Sequence, residues 1–209
     1  MKYYIKKYNG EDKVYKIPQW FIDFIKSQET FSPVAYKDNT GYSVGYGSQT
    51  MLNGKPTKAG DKMTEKEATQ ALENYIYKNI PDILKVYPNF YNYPEQTQSA
   101  IIDIVYRGGI GALRNSKGFN TTLTNAMQDN YVSSEELKQL EKEMGYNRNG
   151  SIYGANGRKG ARILMLAGMY DPNYNELINR SAMPNPYKIY DNMENIVERT
   201  KSNPHQNFV

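Results

Sequence analysis

The chain contains no cysteine and only one histidine, and these two shortages exclude or disfavour several classes of enzyme. Without cysteine, the protein has no disulfide framework and no thiolate-ligated metal site. The single histidine, His205, lies in a polar segment at the end of the chain, which argues against a Ser-His-Asp triad and against a zinc hydrolase. We therefore expect a protein that functions with no metal and no cofactor.

Long apolar runs are also missing. No stretch approaches the ~18 consecutive apolar residues that predict a membrane span. The opening MKYYIKKYNG carries charge but lacks the apolar centre of a signal peptide. We expect a soluble protein made in the cytoplasm, with no signal peptide and no membrane insertion.

A strong charge of one sign is absent as well. The 26 Lys and Arg residues are nearly balanced by 22 Asp and Glu residues, and acids and bases alternate in EDKVYK and SSEELKQLEKE. This pattern is typical of a solvated surface, so no nucleic-acid partner is expected. With 39% hydrophobic residues in 209, the chain can bury a core as one domain or as a two-lobed one, and we expect a monomer.

The first elements can be predicted from turn and helix signals. Asn9-Gly10 between alternating segments predicts a β-hairpin over residues 1–17. Pro18 then opens a helix. Its core-facing stripe is predicted from helical spacing to contain Trp20, Phe21, Phe24 and Ile25.

Further along, short strands are predicted over residues 34–47 around the turn at 39–41, followed by a loop at 48–63. Thr64 and Glu67 form a capping-box pattern that starts the next helix. We expect the glycines at 108, 109 and 111 to end the helix before them. The predicted helices after the loop cover residues 64–79, 81–87, 94–106, 120–129, 133–144, 157–170 and 191–200.

Two carboxylates near the first helix suggest glycoside hydrolysis. Such cleavage usually needs one carboxyl that keeps its proton for the leaving oxygen and one ionised carboxylate that serves the attacking water. Glu29 follows the apolar helix, where desolvation is expected to raise its pKa, whereas Asp38 lies in a polar turn that keeps it charged. The contexts therefore predict Glu29 as the acid and Asp38 as the base.

These residues resemble the signature of the phage-type lysozymes, glycoside hydrolase family 24. The family has Glu, eight residues, Asp, five residues, Thr and a Gly-x-Gly-His turn. Glu29 and Asp38 match at that spacing, but only four residues separate Asp38 from Ser43, which replaces the Thr, and Ser48 follows the GYG at 45–47 in place of the His. The resemblance implies that Glu29 is the general acid, that Asp38 positions or activates the water, and that the Ser43 hydroxyl helps to hold that water.

The resemblance covers roughly residues 18–171. QSAIIDIVYRGG at 98–109 resembles the core helix of the family, with Arg107 at the family's Asn, and FNTTL at 119–123 resembles the opening of the next helix. By position in these motifs, the resemblance implies that Tyr106 and Thr122 face the saccharide. It also implies an α+β fold, mainly helical and lysozyme-like, with a small β-hairpin lobe and a larger helical lobe.

Our leading hypothesis is an N-acetylmuramidase that cleaves the β-1,4 bond between N-acetylmuramic acid and N-acetylglucosamine in peptidoglycan. It would serve a phage in lysis or penetration of the host wall, reaching the wall through a separate pore or as part of the virion. Two alternatives stay open: a lytic transglycosylase, and a virion or wall-binding component that keeps the fold without activity. We divide the chain into an N-terminal hairpin (1–17), a lysozyme-like catalytic domain (18–171) and a C-terminal appendage (172–209).

Overall fold

A computed structural model of the protein describes residues 5–8, 11–144 and 158–171. The chain forms two compact units, one built from residues 1–93 and 101–115 and the other from 94–100 and 116–209. The described residues are mainly helical, with two antiparallel sheets of two strands each, which confirms the predicted α+β fold. The predicted helix at 191–200 and His205 lie outside the described residues.

The first unit begins with the predicted hairpin. Strand β1 (Ile5–Tyr8) pairs antiparallel with β2 (Glu11–Val14). Helix α1 (Gln19–Gln28) follows, with Pro18 at its N-cap position. The predicted apolar stripe is confirmed in α1, since Phe21, Phe24 and Ile25 are buried, while Trp20 at its edge is part-buried.

The second hairpin consists of β3 (Ser32–Asp38) and β4 (Gly41–Gly45). Its register pairs Asp38 with Gly41 and Tyr36 with Ser43, and it shifts between residues 32 and 36. The loop that follows β4 returns to the other edge of β3, where Ala35 N–H donates to the Asp61 carbonyl at 2.8 Å. The loop therefore closes against the hairpin that carries Asp38.

Helix α2 (Glu65–Val86) begins with the predicted capping box: Thr64 N–H donates to the Glu67 carboxylate at 2.8 Å, and Glu67 N–H donates to the Thr64 hydroxyl at 3.3 Å. The predicted break before Pro81 is wrong, because α2 continues through it. A proline inside a helix costs about 3 kcal/mol. Each fully buried aliphatic side chain stabilises the fold by ~1.5–3 kcal/mol, so a stripe of buried side chains on both sides of Pro81 outweighs that cost. Its buried members are Ile76, Ile80, Ile83 and Leu84.

After a 3₁₀ turn (Phe90–Asn92), helix α3 covers Glu95–Asn115 and is shared by the two units. The prediction that the glycines end this helix is only partly correct. Gly109 breaks the helical geometry, with φ 69° and ψ 171°, a backbone conformation that favours glycine. Helical structure then resumes as far as Asn115, and this missed segment buries Leu113 completely.

The second unit contains α4 (Lys117–Ala126), α5 (Ser134–Glu143) and α6 (Arg158–Leu166). These agree with the predicted helices in number and order, although α4 starts and ends three residues earlier than expected and α6 ends four residues earlier. Within this unit, Gln96 exchanges two hydrogen bonds with the backbone of Tyr170, at 2.9 and 3.0 Å. Its fully buried apolar side chains include Phe119, Leu123, Leu137, Leu140 and Met165.

Candidate active site

Asp38 and Ser43 meet across the tip of the second hairpin. Only two residues connect β3 to β4, and the register places Tyr36 opposite Ser43 and Asp38 opposite Gly41. Side chains two residues apart on a strand share a face, so Asp38 lies on the same face as Tyr36 and therefore as Ser43. The Ser43 hydroxyl donates to Asp38 Oδ2 at 3.1 Å.

The two residues differ sharply in exposure. Asp38 is exposed, whereas Ser43 is completely buried. The second carboxylate oxygen of Asp38 accepts a hydrogen bond from the backbone N–H of Asn39 at 2.5 Å. The Asp38 carboxylate is thus held from both oxygens by its own hairpin while it remains open to solvent.

Glu29 occupies the junction between α1 and β3. It is the C-cap residue of α1, and its N–H donates to the Ile25 carbonyl at 3.0 Å. Its backbone is already extended, with φ −113° and ψ 134°, so the chain leaves the helix at this residue. The Glu29 side chain is part-buried, as a carboxyl at the edge of an apolar helix face would be.

A charged cluster lies beside this junction. Lys26 Nζ is 2.9 Å from Glu65 Oε1, and the Tyr46 hydroxyl donates to the same oxygen at 2.9 Å. The hydrogen bond to Glu65 raises the pKa of Lys26, and the hydrogen bond from Lys26 lowers the pKa of Glu65. Burial is the main cause that raises the pKa of Tyr46. The pair therefore stays ionised around neutral pH and links the last turn of α1 to the first turn of α2.

Tyr46 also makes aromatic and main-chain contacts. Its ring lies 5.5 Å from the Phe31 ring and 5.5 Å below Lys26 Nζ. Its carbonyl accepts a hydrogen bond from the Tyr106 hydroxyl at 2.7 Å. Tyr106, which the resemblance places at the saccharide, is thus joined within the first unit to the turn that follows β4, and it stacks edge-on with Tyr75 at 5.5 Å.

The remaining predicted site residue is Thr122. It lies on α4 in the second unit, where its side chain is part-buried next to the fully buried Leu123. Glu29, Asp38, Ser43 and Tyr106 lie in the first unit, and Thr122 lies in the second.

Sequence patterns did not single out Lys26, Tyr46 or Glu65. One weak signal was present, because Tyr46 lies between the two glycines of the GYG sequence at 45–47. Gly45 has a left-handed φ of +67°, and a Cβ there would lie 2.6 Å from the Cβ of Ala68. Such a close approach fixes the main chain next to Tyr46, and only the fold reveals it.

Over the described residues, no three His, Cys, Asp or Glu side chains cluster as metal ligands. No helix in the same ranges has the length and apolar character needed to cross a bilayer. The described side chains at this site offer carboxylates, hydroxyls and aromatic rings.

A protein-family comparison matches residues 26–161 to the family described as phage lysozyme. Comparison with curated proteins gives no match. Among solved structures, an endolysin from Escherichia coli O157:H7 phage FAHEc1 is 26% identical, with a TM-score of 0.53, and the match covers 75% of this chain and 93% of that one.

Two other solved structures share the fold. A point mutant of P22 lysozyme is 16% identical over 73% of this chain and 99% of that one, with a TM-score of 0.57. The muramidase domain of SpmX from Asticaccaulis excentricus is 18% identical over 74% of this chain and 97% of that one, with a TM-score of 0.50. At these identities the likeness concerns the fold alone.

Proposed function

We propose that this chain is an N-acetylmuramidase. It belongs to the phage lysozyme family, because the match to that family covers residues 26–161, and it is a lysozyme-type glycoside hydrolase that acts on peptidoglycan. The bond cleaved is the β-1,4 linkage between N-acetylmuramic acid and N-acetylglucosamine. Glu29 is the general acid and Asp38 the base. The observation that carries the proposal is the hydrogen bond between Ser43 and Asp38, which orients an exposed carboxylate at the expected distance in sequence from Glu29.

In this reaction Glu29 gives its proton to the glycosidic oxygen as the bond to the anomeric carbon breaks. Asp38 accepts a proton from the water that attacks the same carbon, so that each product ends with a hydroxyl group. Ser43 is fully enclosed and its hydroxyl donates to Asp38, so we assign it the role of orienting Asp38. Its effect on the water then passes through the carboxylate.

The substrate-facing residues are part of the same proposal. Tyr106 is part-buried and its hydroxyl donates to the Tyr46 carbonyl, and we assign its ring as a surface for a sugar. Thr122 would supply a hydroxyl from α4. The biological setting that fits an endolysin-like enzyme is lysis or penetration of a host wall by a phage, with the protein acting as a monomer on glycan strands.

The proposal is tested with Glu29→Gln and Asp38→Asn, which keep the shape of each side chain and remove its acid–base function. We expect the release of reducing ends from purified peptidoglycan to fall at least about a hundredfold in each variant. The matched control is Asp23→Asn, on the exposed side of α1, where the carboxylate accepts a hydrogen bond from Gln19 at 3.0 Å. This variant should retain activity.

The products decide between this proposal and its alternatives. Mass spectrometry should show reducing N-acetylmuramic acid ends. Anhydro-muramic acid ends would instead identify a lytic transglycosylase. Wall binding without released sugar ends would identify a non-catalytic component. Full activity in Glu29→Gln or in Asp38→Asn would remove the role assigned to that residue.

A further inference from the structure

We infer that Tyr46 is a positioning residue for Glu29: it supports the chain on both sides of Glu29 and so fixes where that carboxyl lies. The inference rests on the proposed function for the role of Glu29 as acid, while the contacts that carry it are independent of any activity. Tyr46 itself is not proposed to touch substrate.

Tyr46 contacts the chain on both sides of Glu29. Lys26 precedes Glu29 by three residues and Phe31 follows it by two. Both side chains lie on Tyr46, with Lys26 Nζ and the Phe31 ring centre each 5.5 Å from the centre of the Tyr46 ring. A single side chain therefore contacts the chain just before and just after Glu29.

The backbone at Glu29 explains why such support matters. Glu29 has already left helical geometry, so the hydrogen bond of its own N–H is the last that α1 provides. Beyond this point, the packing of the Phe31 ring on Tyr46 restrains the chain. Tyr46 thus adds a restraint where the helix ends.

Tyr46 is suited to this role because it is fixed by burial, by two hydrogen bonds and by the close packing of the residue before it. Its side chain is only 5% exposed. Its hydroxyl is anchored on Glu65 at 2.9 Å, and its carbonyl is held by the Tyr106 hydroxyl at 2.7 Å. Gly45, directly before it, packs so closely on Ala68 that a Cβ at Gly45 would lie 2.6 Å from the Ala68 Cβ. A shift of Tyr46 would therefore move Glu29, whereas the Ser43 to Asp38 hydrogen bond is internal to the hairpin.

The expected effect falls on the chemical step. Displacing a catalytic group by about 1 Å can cost on the order of a hundredfold in rate. We expect Tyr46→Leu, which removes the ring, to lower kcat by about tenfold or more with KM changed less than about twofold. Tyr46→Phe removes only the hydroxyl contact and should lower kcat by a smaller factor.

The experiment combines kinetics on purified peptidoglycan with NMR of the carboxyl carbons in glutamate-labelled protein. The Glu29 signal is assigned by its disappearance in Glu29→Gln. It should move in Tyr46→Leu, and less in Tyr46→Phe. The control is Tyr93→Phe, a tyrosine of similar burial that packs on Tyr87 at 5.9 Å, and it should leave both readouts unchanged.

Double variants separate positioning from general damage. If Tyr46 acts through Glu29, Tyr46→Leu should cause little further loss in a Glu29→Gln background, but a full further loss in an Asp38→Asn background. Equal losses in the two backgrounds would overturn the inference. A rise in KM with unchanged kcat would also overturn it, since Tyr46 would then serve binding.

The two levels of the proposal can fail separately. A Glu29 signal that stays in place in both Tyr46 variants overturns the inference, whatever the activity. A signal that moves while the unaltered protein releases no sugar ends supports the positioning of Glu29 and overturns the muramidase proposal. If Tyr46→Leu does not fold, Tyr46→Phe and Phe31→Leu are judged by the same two readouts.

Discussion

Asp38 and Glu29 are held by two different kinds of structure. Asp38 is oriented within one hairpin, by Asn39 next to it and by Ser43 five residues later. Glu29 lies at a helix end whose neighbours contact Tyr46, a residue that is anchored in turn by a helix far along the sequence. The placement of Asp38 is local, and the placement of Glu29 depends on tertiary contacts.

This difference predicts different sensitivities. Substitutions outside the β3–β4 hairpin should leave Asp38 oriented but can reach Glu29 through Tyr46. Substitutions at the hairpin tip should affect Asp38 alone. Variants at Gly45 and Lys26 test the support of Glu29, and a variant at Ser43 tests the orientation of Asp38.

The largest effect is expected for Gly45→Ala. A left-handed φ costs a non-glycine residue ~1–3 kcal/mol, and overpacking against Ala68 adds ~1–3 kcal/mol. We expect the free energy of unfolding to fall by roughly 3 kcal/mol or more, and Tm by about 2–4 °C for each kcal/mol. Thermal unfolding measures this loss, and activity should fall with it because Tyr46 is displaced.

Gly47→Ala is the matched control for this variant. Gly47 also has a left-handed φ, +88°, but a Cβ there would meet no atom within 4 Å among the described residues. It should lose only the backbone part, about half of the total or less. Equal losses in the two variants would show that the contact with Ala68 does not hold the turn.

A smaller effect, confined to activity, is expected for Ser43→Ala. The exposed Asp38 carboxylate can replace the lost hydrogen bond with water, so stability should change by no more than about 1 kcal/mol. We expect kcat to fall about tenfold because the carboxylate loses its orientation. KM should change by less than about twofold, because Ser43 is buried and does not contact substrate in this assignment.

Ser48→Ala provides the control in the turn that follows the same hairpin. Its hydroxyl donates to the Thr50 carbonyl at 2.7 Å and not to the Asp38 carboxylate. Neither kcat nor KM should change in this variant. A loss of kcat in Ser43→Ala that is accompanied by a fall in Tm of more than about 4 °C would mean that Ser43 acts on the fold and not on Asp38.

The contrast between local and tertiary contacts also explains what the sequence could predict. The turn at 39–41, the capping box at Thr64 and the stripe on α1 are signals within a few residues, and all three agree with the structure. Signals of this short range were also enough to place Asp38 at the end of a strand. The contacts of Tyr46 with Lys26, Phe31 and Glu65 join segments with no shared pattern, so the support of Glu29 could not be predicted.

The two errors in the helix boundaries have the same origin. Proline and glycine rules describe local backbone cost, and they predicted breaks before Pro81 and after Tyr106. Burial of Ile83 and Leu84 beyond Pro81, and of Leu113 beyond Gly109, outweighed that cost. At Gly109 the local rule located the break in helical geometry correctly, but it did not predict that the helix resumes beyond it.

The smallest effect is expected when Lys26→Met is compared with Lys85→Met. Both lysines pair with a carboxylate, Lys26 with Glu65 at 2.9 Å and Lys85 with Asp82 at 2.7 Å. Only the first pair supports the segment of Glu29, whereas the second is a contact between residues three apart on α2. A partly exposed ion pair contributes little energy, so we expect Lys26→Met to lower kcat only a few-fold. Lys85→Met should leave kcat unchanged.

Their stability should depend on pH in a defined way. The lowered pKa of Glu65 gives a contribution that is present above its ordinary value of 4.5 and is lost as the pH falls through the folded value. The raised pKa of Lys26 gives one that is present below 10.5 and is lost as the pH rises through the folded value. The stability gap between the unaltered protein and Lys26→Met should therefore be widest between these limits and close on both sides in thermal unfolding. Lys85→Met should show the same closing at acid pH, because Lys85 lowers the pKa of Asp82. An equal loss of kcat in the two variants would mean that ion pairs affect activity through general stability, and the tertiary support of Glu29 would not depend on Lys26.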